Sequence, residues 1–194
     1  MVDLDDSLLR AAASGDVAAV VAALEAGASL EARDQRGRTA LLLAVVGDHV
    51  AVAEVLVAHG ASADSFDDRH DTPWLATGTT GSVAMLEALL PARPDMTLRN
   101  RYGGVSIIPA SERGHVEYVR RVATAGIDVD HVNDLGWTAL LEAVILGDGS
   151  EPYQEIVRIL LAAGADRALA DRDGTTAAEH ARRMGQHAVL AMLE

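Results

Sequence analysis

Apolar residues between positions 34 and 61 fall into two short runs that a polar break separates. The first run covers residues 40–46 and the second covers residues 50–58. A turn signal of Asp, Gln, Arg and Gly precedes Thr39, and Gly60 closes the segment. The pattern predicts two short helices joined by a tight turn. Because such a pair cannot cover its own apolar side, we expect copies of it on both sides.

The copies are present at a nearly fixed interval. Thr39 recurs at steps of 33 residues, and the last copy follows after 38 residues, which leaves a five-residue insertion in one repeat. The anchor positions are Thr39, Thr72, Val105, Thr138 and Thr176. A glycine stands two residues before each anchor except the second, where His70 takes its place. The chain is therefore predicted to consist of repeated helix pairs.

A 33-residue period in a turn–helix–helix pattern is typical of the ankyrin repeat, and the chain resembles that family over its whole length. The resemblance implies an all-α fold, an ankyrin-repeat solenoid of about six helix–turn–helix repeats with short β-hairpin-like fingers. We expect a single domain over residues 1–194. Its repeats would cover residues 3–33, 34–66, 67–99, 100–132, 133–170 with the insertion, and 171–194. The Thr-Pro-Leu-His motif of the family is largely missing, since only Thr72-Pro73 keeps its first pair.

The residue types explain the repeat and mark its exceptions. A glycine in each turn takes a positive φ without a Cβ clash, and an anchor threonine can cap the first helix. The third repeat departs most, because Trp74 replaces Leu and Arg93 replaces the closing Gly, so we expect a distorted finger and second-helix end there. In the fifth repeat, residues 148–152 predict a surface loop. His49 and His115 open second helices, where local capping bonds are expected.

Composition narrows the function classes. The 194 residues are 49% hydrophobic and include no cysteine, which excludes disulfides and thiol catalysis. All 16 basic residues are arginine, a usage that together with the many Ala, Val and Gly residues is typical of a high-GC bacterial genome, and the net charge is −13. A broad basic footprint is lacking, so nucleic acid is not expected as a partner. No 18-residue apolar stretch and no basic leader occur, so we expect a cytoplasmic protein that does not bind membranes.

The family resemblance also implies where a partner binds. In ankyrin repeat proteins partners generally bind the concave side, which finger tips and exposed parts of the first helices form. This surface lies four, three and one residues before each anchor and seven and eight residues after it; we call these positions the slots. The slots carry many arginines and two of the few aromatic residues of the chain. The predicted partner-binding residues are Arg36, Arg38, Arg69, Arg101, Tyr102, Arg113, Leu135, Trp137, Ile145, Arg172 and Arg183.

Tyrosine, tryptophan and arginine are enriched at binding hot spots, so the slots predict a protein-binding face with an apolar patch bordered by arginine. Two alternatives stay open. Trp137 could lie flat over Leu135 as ordinary packing between repeats. The arginine row could bind a small anion or a phosphorylated ligand, because guanidinium groups suit phosphate and carboxylate.

Catalytic motifs are missing from the sequence. It contains none of the short patterns typical of serine hydrolases, zinc proteases or phosphate-binding loops. Residues 67–71 are rich in Asp and His, but adjacent residues on a turn diverge, so we expect no metal there. We expect a non-catalytic, monomeric adaptor or regulator without a cofactor, whose partner is another protein. A phosphate-like anion is the alternative ligand.

Overall fold

A computed structural model describes residues 3–194 and is built from helices. The chain groups into two compact units, the first ending at Arg101 and the second covering Tyr102–Glu194. The described residues form twelve α-helices and one 3₁₀ helix, with no β-strand among them and one isolated bridge between Ala170 and Thr176. None of these helices is long and apolar enough to cross a membrane. The predicted all-α class and the helix–turn–helix pattern are confirmed.

The first unit contains three helix pairs. They are α1 (Leu4–Ser14) with α2 (Val17–Glu25), α3 (Ala40–Val46) with α4 (Val50–Ala58), and α5 (Pro73–Thr80) with α6 (Val83–Leu89). Helix α3 packs against α1 and α5, and α4 packs against α2 and α6. The fully buried side chains of this unit include Leu8, Leu42, Leu56, Trp74 and Leu86. Its core therefore lies between neighbouring helix pairs.

The second unit repeats this arrangement. Its pairs are α7 (Ile107–Glu112) with α8 (Val116–Ala123), α9 (Ala139–Ile145) with α10 (Glu151–Ala162), and α11 (Ala177–Arg183) with α12 (His187–Leu193). Helix α9 packs against α7 and α11, and α10 packs against α8 and α12. Buried side chains between the pairs include Ile107, Tyr118, Leu141, Ile156 and Leu160. Both units thus use one packing scheme.

Four threonine anchors cap first helices as predicted. Each hydroxyl oxygen accepts the backbone N–H three residues further on, which satisfies one of the donors left open at a helix start. The capping anchors are Thr39, Thr72, Thr138 and Thr176. Val105 has no hydroxyl, and α7 begins two residues later at Ile107 without a side-chain cap. A side-chain cap therefore forms only where the anchor residue has a hydroxyl group.

The third repeat is distorted at the end of its second helix, as predicted, but its finger keeps the turn of the other repeats, so the predicted distortion of the finger is wrong. His70 takes the glycine position with a φ of 63°, in the left-handed region, and its ring stacks on Phe66 with the centroids 4.3 Å apart. Helix α6 runs into a 3₁₀ turn, Leu90–Ala92, and Arg93 then takes a φ of 52° in place of the usual glycine. The unusual residues therefore adopt the backbone conformation that glycine adopts in the other repeats.

Only part of the insertion in the fifth repeat forms a loop. Helix α10 begins at Glu151 and has 12 residues, against 9 in α4. The prediction of a loop over residues 148–152 is therefore wrong for Glu151 and Pro152. Proline fits the first helical turn because the N–H that it lacks has no partner there. The hydroxyl of Tyr153 donates to the carbonyl of Glu112 at 3.0 Å, which ties the lengthened helix to α7.

The expected local capping bonds of His49 and His115 do not form, so that prediction is wrong. The Nε2 atom of His49 lies 3.1 Å from the carbonyl oxygen of Ala13 in α1. A Cβ added to Gly15 or Gly47 would meet the His49 ring at 2.6 Å. The imidazole therefore bridges the first two repeats through space that only glycine leaves open.

Shortening Leu56 to alanine tests the packing between neighbouring pairs. Leu56 is fully buried, so Leu56→Ala should lower the free energy of unfolding by about 2–5 kcal/mol through lost contacts and a residual cavity. Urea denaturation followed by circular dichroism measures the loss. Val46→Ala is the matched control, because Val46 is 55% exposed and its shortening should change stability by less than about 0.5 kcal/mol. Equal losses in both variants would contradict the packing role of Leu56.

Candidate partner-binding site

One acidic or amide side chain organises each of four fingers. Its Oδ1 atom accepts the backbone N–H groups two and four residues further on, at 2.9–3.0 Å. These residues are Asp34, Asp67, Asn133 and Asp171. The sequence analysis missed them, although their position five residues before the anchors was a usable signal. The resulting tight turns hold the finger-tip slots in fixed positions at the surface.

Neighbouring fingers of the first unit lie side by side. The backbone N–H of Asp68 donates to the carbonyl of Arg36 at 3.1 Å. This approach needs Gly37, because its φ is +72° and a Cβ there would come within 3.0 Å of the Asp68 nitrogen. The next residue after Asp68 is Arg69, so two arginines occupy the same slot on adjacent finger tips.

Three of the four predicted arginines of the first unit border one open groove of about 300 Å³, and Arg101 is not part of its lining. Its lining includes Arg36, Arg38, Arg69, Asp67 and Asp71, together with the apolar Leu42 and Val46. The groove therefore brings together slot residues of the second and third repeats, both charged and apolar.

The four slot arginines of this unit differ in how they are held. The guanidinium of Arg38 bonds Asp34 Oδ2 through two nitrogens at 2.8 and 2.7 Å. Burial raises the pKa of Asp34, but hydrogen bonds from Arg38 and the nearby backbone outweigh it and hold that pKa below its ordinary value. Arg101 pairs with Asp71 at 3.4 Å, and burial nevertheless raises the pKa of Asp71. Among residues 3–194, no hydrogen bond or ion pair holds the guanidinium of Arg36 or Arg69.

A larger groove of about 740 Å³ lies beside α1 and the second finger. Its acidic residues are already used within the fold. Asp3 caps α1, Asp5 accepts the backbone N–H of Ser29 at 2.7 Å, and Asp6 pairs with Arg10. We therefore regard the smaller arginine-bordered groove as the better candidate site in this unit.

Several slots of the second unit carry large apolar side chains. The backbone N–H of Asp134 donates to the carbonyl of Tyr102 at 2.9 Å, so Tyr102 and Leu135 lie on adjacent finger tips. Their exposed fractions are 55% and 53%. At the ends of the first helices, Leu146 and Met184 are also about half exposed. Large apolar side chains are therefore exposed to solvent both at the finger tips and at the ends of the first helices.

The remaining predicted residues occupy mixed positions. Trp137 and Ile145 are half-buried, as is Arg38, so Trp137 is neither sealed inside nor fully open. The other predicted residues are exposed, namely Arg36, Arg69, Arg101, Tyr102, Arg113, Leu135, Arg172 and Arg183. Each unit therefore exposes most of its own part of the predicted set.

Glu142 on α9 is a buried carboxyl that the sequence analysis did not single out. Only 4% of it is exposed, and its Oε1 atom accepts a 2.8 Å hydrogen bond from Nδ2 of Asn133. Burial raises the pKa of Glu142 to about 7, with a further increase from the charge of Glu112 and an opposing effect from the Asn133 bond. The only sequence signal was a lone acid inside an apolar helix. Since Asn133 organises the finger of Leu135, Glu142 supports that finger from the core.

A related pair occupies the same positions in the sixth repeat. His180 Nε2 lies 2.7 Å from Asp171 Oδ2, nine residues apart as in the Asn133–Glu142 pair. The backbone N–H of Thr175, together with His180, holds the pKa of Asp171 below its ordinary value. In the described part of the chain, no serine or threonine hydroxyl bonds the other nitrogen of His180, so a nucleophilic triad is not formed. Residues 3–194 also contain no group of His, Cys, Asp or Glu that could hold a metal.

Glu142→Gln should stabilise the protein above neutral pH. The fold raises the pKa of Glu142 from 4.5 to about 7, so the folded protein binds this proton more tightly than the unfolded chain. Ionisation therefore opposes folding: the penalty is absent below 4.5, grows as the pH rises to about 7, and is constant above it. Glutamine keeps an acceptor for Asn133 without the charge, so the gain at about pH 8 should be on the order of 2 kcal/mol.

Urea denaturation over a pH series measures this effect. Glu54→Gln is the matched control, because Glu54 is exposed and the same substitution there removes no buried carboxyl. A stability change of Glu142→Gln that is the same at every pH would show that the carboxyl does not titrate in this way.

Comparisons with known proteins agree with the geometry. The family model described as ankyrin repeats, in three copies, matches residues 8–100, 74–171 and 107–194. The ankyrin repeat protein YahD of Escherichia coli (strain K12) is 35% identical over 192 residues, which cover 98% of this chain and 96% of that protein. A crystal structure of an ankyrin repeat domain from Acinetobacter baumannii AYE superposes with a TM-score of 0.92, at 44% identity over 96% of this chain and 95% of that one.

A smaller relative is cyclin-dependent kinase 4 inhibitor B of Bos taurus, which is 35% identical over 124 residues, 63% of this chain and 94% of that protein. The chain belongs to the ankyrin repeat family.

Proposed function

We propose that this chain is a non-catalytic adaptor or regulator, acting as a cytoplasmic monomer, that binds another protein through its slots on the side expected to be concave. Ankyrin repeat domains are in general protein–protein interaction modules. The bovine relative is named for inhibiting a cyclin-dependent kinase, which is action through another protein. That name supports the class of function for this chain and does not identify its partner.

The position of exposed apolar side chains carries the proposal. Seven large hydrophobic residues are exposed within residues 3–194, and five of them stand at slots. The five are Val46, Tyr102, Leu135, Leu146 and Met184, whereas Leu4 and Val132 lie elsewhere. Leaving apolar surface in water costs about 25 cal/mol per Å² compared with burying it. Apolar surface concentrated at the slots is the property expected of a protein-binding site.

Tyr102→Ala and Leu135→Ala test the proposed face. Each change removes an exposed side chain from a finger tip, so binding to a protein partner should weaken by about 2 kcal/mol if that residue is a hot spot. Partners captured on the immobilised wild-type protein from the native organism are identified first. Their affinity for each variant is then measured by isothermal titration calorimetry.

Val132→Ala is the matched control for this experiment. Val132 is 47% exposed but lies outside the slots, so its shortening should leave the affinity unchanged. Melting temperatures of all three variants check that the fold is intact. If Val132→Ala weakens binding as much as the two finger-tip variants do, or if none of them does, the partner binds elsewhere.

A small-anion ligand is the second candidate function. Its support is the pair Arg36 and Arg69, which border the same groove of the first unit and whose guanidinium groups form no ion pair among the described residues. Guanidinium forks match the geometry of phosphate and carboxylate oxygens. A free anion in this groove would neutralise the repulsion between the two positive charges.

Inorganic phosphate should raise the melting temperature if a free anion is the ligand. A ligand at about 100 times its Kd stabilises the folded state by about 2.7 kcal/mol. Differential scanning calorimetry compares wild type with the variant in which Arg36, Arg38 and Arg69 are all changed to Gln, which should lose the rise. Sodium chloride at matched ionic strength is the control, and an equal rise with chloride would count against a specific site.

A further inference from the structure

Arg36 and Arg69 carry like charges on adjacent finger tips. They occupy equivalent slots on adjacent fingers, and the bond from the Asp68 N–H to the Arg36 carbonyl, at 3.1 Å, holds these fingers together. Arg38 and Arg101, at other slots of this unit, pair with Asp34 and Asp71. Arg36 and Arg69 form no such ion pair within the described chain. Their mutual repulsion therefore favours a negative group placed between them.

The charge of this face is opposite to that of the unit as a whole. Residues 3–101 contain 8 Arg against 15 Asp and Glu, a balance of −7. The slots of the second and third repeats, with Arg101, carry four Arg and two Asp, a balance of +2. An acidic partner would therefore be attracted to this face and repelled by the rest of the unit.

The groove beneath the arginine pair is partly apolar. Leu42, Val46 and Ala76 contribute to its lining, and Val46 is 55% exposed. A free inorganic anion gains nothing from such a surface, whereas a peptide segment can cover it with an apolar side chain. One short segment of a protein can therefore place an acidic group against the arginines and an apolar side chain against the apolar lining.

Two carboxylates also line the groove. Asp67 and Asp71 lie beside the arginines. Their charges offset part of the attraction that the arginines exert on an anion. A ligand that also covers the apolar lining therefore gains contacts that charge alone does not supply.

We propose that Arg36 and Arg69 bind the carboxylate of an Asp or Glu side chain of a partner protein, while a neighbouring apolar side chain of the same segment packs against Leu42, Val46 and Ala76. This inference rests on the proposed protein-binding function and names the partner chemistry that the first unit selects. It opposes the free phosphate of the second candidate function.

Isocaproate serves as the probe, because it combines one carboxylate with one branched apolar group. Its neutral amide, isocaproamide, has the same apolar part, and inorganic phosphate has charge without an apolar part. Two-dimensional proton–nitrogen NMR of the whole chain follows the backbone amides of Arg36, Arg69 and Val46. Isocaproate should bind with a Kd of about 1–10 mM, as expected for so small a ligand, and at least about fivefold more tightly than the amide or phosphate.

Arg36→Gln and Arg69→Gln should each weaken isocaproate binding at least about fivefold, because each removes one of the two guanidinium groups that bind the carboxylate. Arg182→Gln is the matched control, since Arg182 is an exposed arginine of the second unit paired with Glu194 at 2.8 Å, and its loss should have no effect. The amide spectra of the variants verify folding.

Three results would overturn the inference: phosphate binding more tightly than isocaproate, isocaproamide binding as well as isocaproate, or no saturable shift at the three amides. None of these results bears on Tyr102 and Leu135 in the second unit. Conversely, a negative outcome for those two residues alongside isocaproate binding would remove the proposed apolar face and leave the carboxylate site standing.

Discussion

Each helix of this protein is too short to be stable alone and depends on burial against its neighbours. The α-helices have between 6 and 12 residues, and isolated helices below about 12–15 residues are marginal in water. Helix α3 shows the consequence most clearly, since every residue from Ala40 to Val45 is buried. A helix enclosed in this way has no polar side, which explains why its sequence is apolar throughout. Stability therefore belongs to the stacked pairs within a unit and not to single helices.

This constraint also determines where a partner can be contacted. Side chains between stacked pairs are committed to the core, so finger tips and helix ends are the positions left free to vary. The fingers are rigid because one Asp or Asn side chain binds two backbone N–H groups in each turn, as Asp34 does. Fingers of the same backbone conformation can therefore carry arginines in the first unit and Tyr102 and Leu135 in the second. The proposed functions differ between the units through side chains alone.

Polar groups inside the stack act mainly on the backbone. Gln186 donates from Nε2 to the carbonyls of Val144 and Gly147, at 3.0 and 3.1 Å, and so satisfies carbonyl groups at the end of α9. His49 contacts the carbonyl of Ala13 in the same manner. Glu142 reaches the finger through Asn133, which links a core position to the turn that carries Leu135. Such bonds join segments about 9 to 42 residues apart in the sequence.

Spacing along the chain determined the all-helical fold, the anchors and the slots, because a 33-residue repeat places equivalent residues in equivalent environments. The distorted end of α6 followed from the same alignment of repeats.

The tertiary structure alone decided which side chains pair. Nothing in the sequence distinguishes Arg38, which forms an ion pair with Asp34, from Arg36, which forms no ion pair among the described residues. Nor does it show that Glu142 would be buried or that Pro152 would enter a helix. Local pattern reports the average environment of a position, whereas a hydrogen bond or an ion pair depends on distances of a few ångströms between residues far apart in sequence.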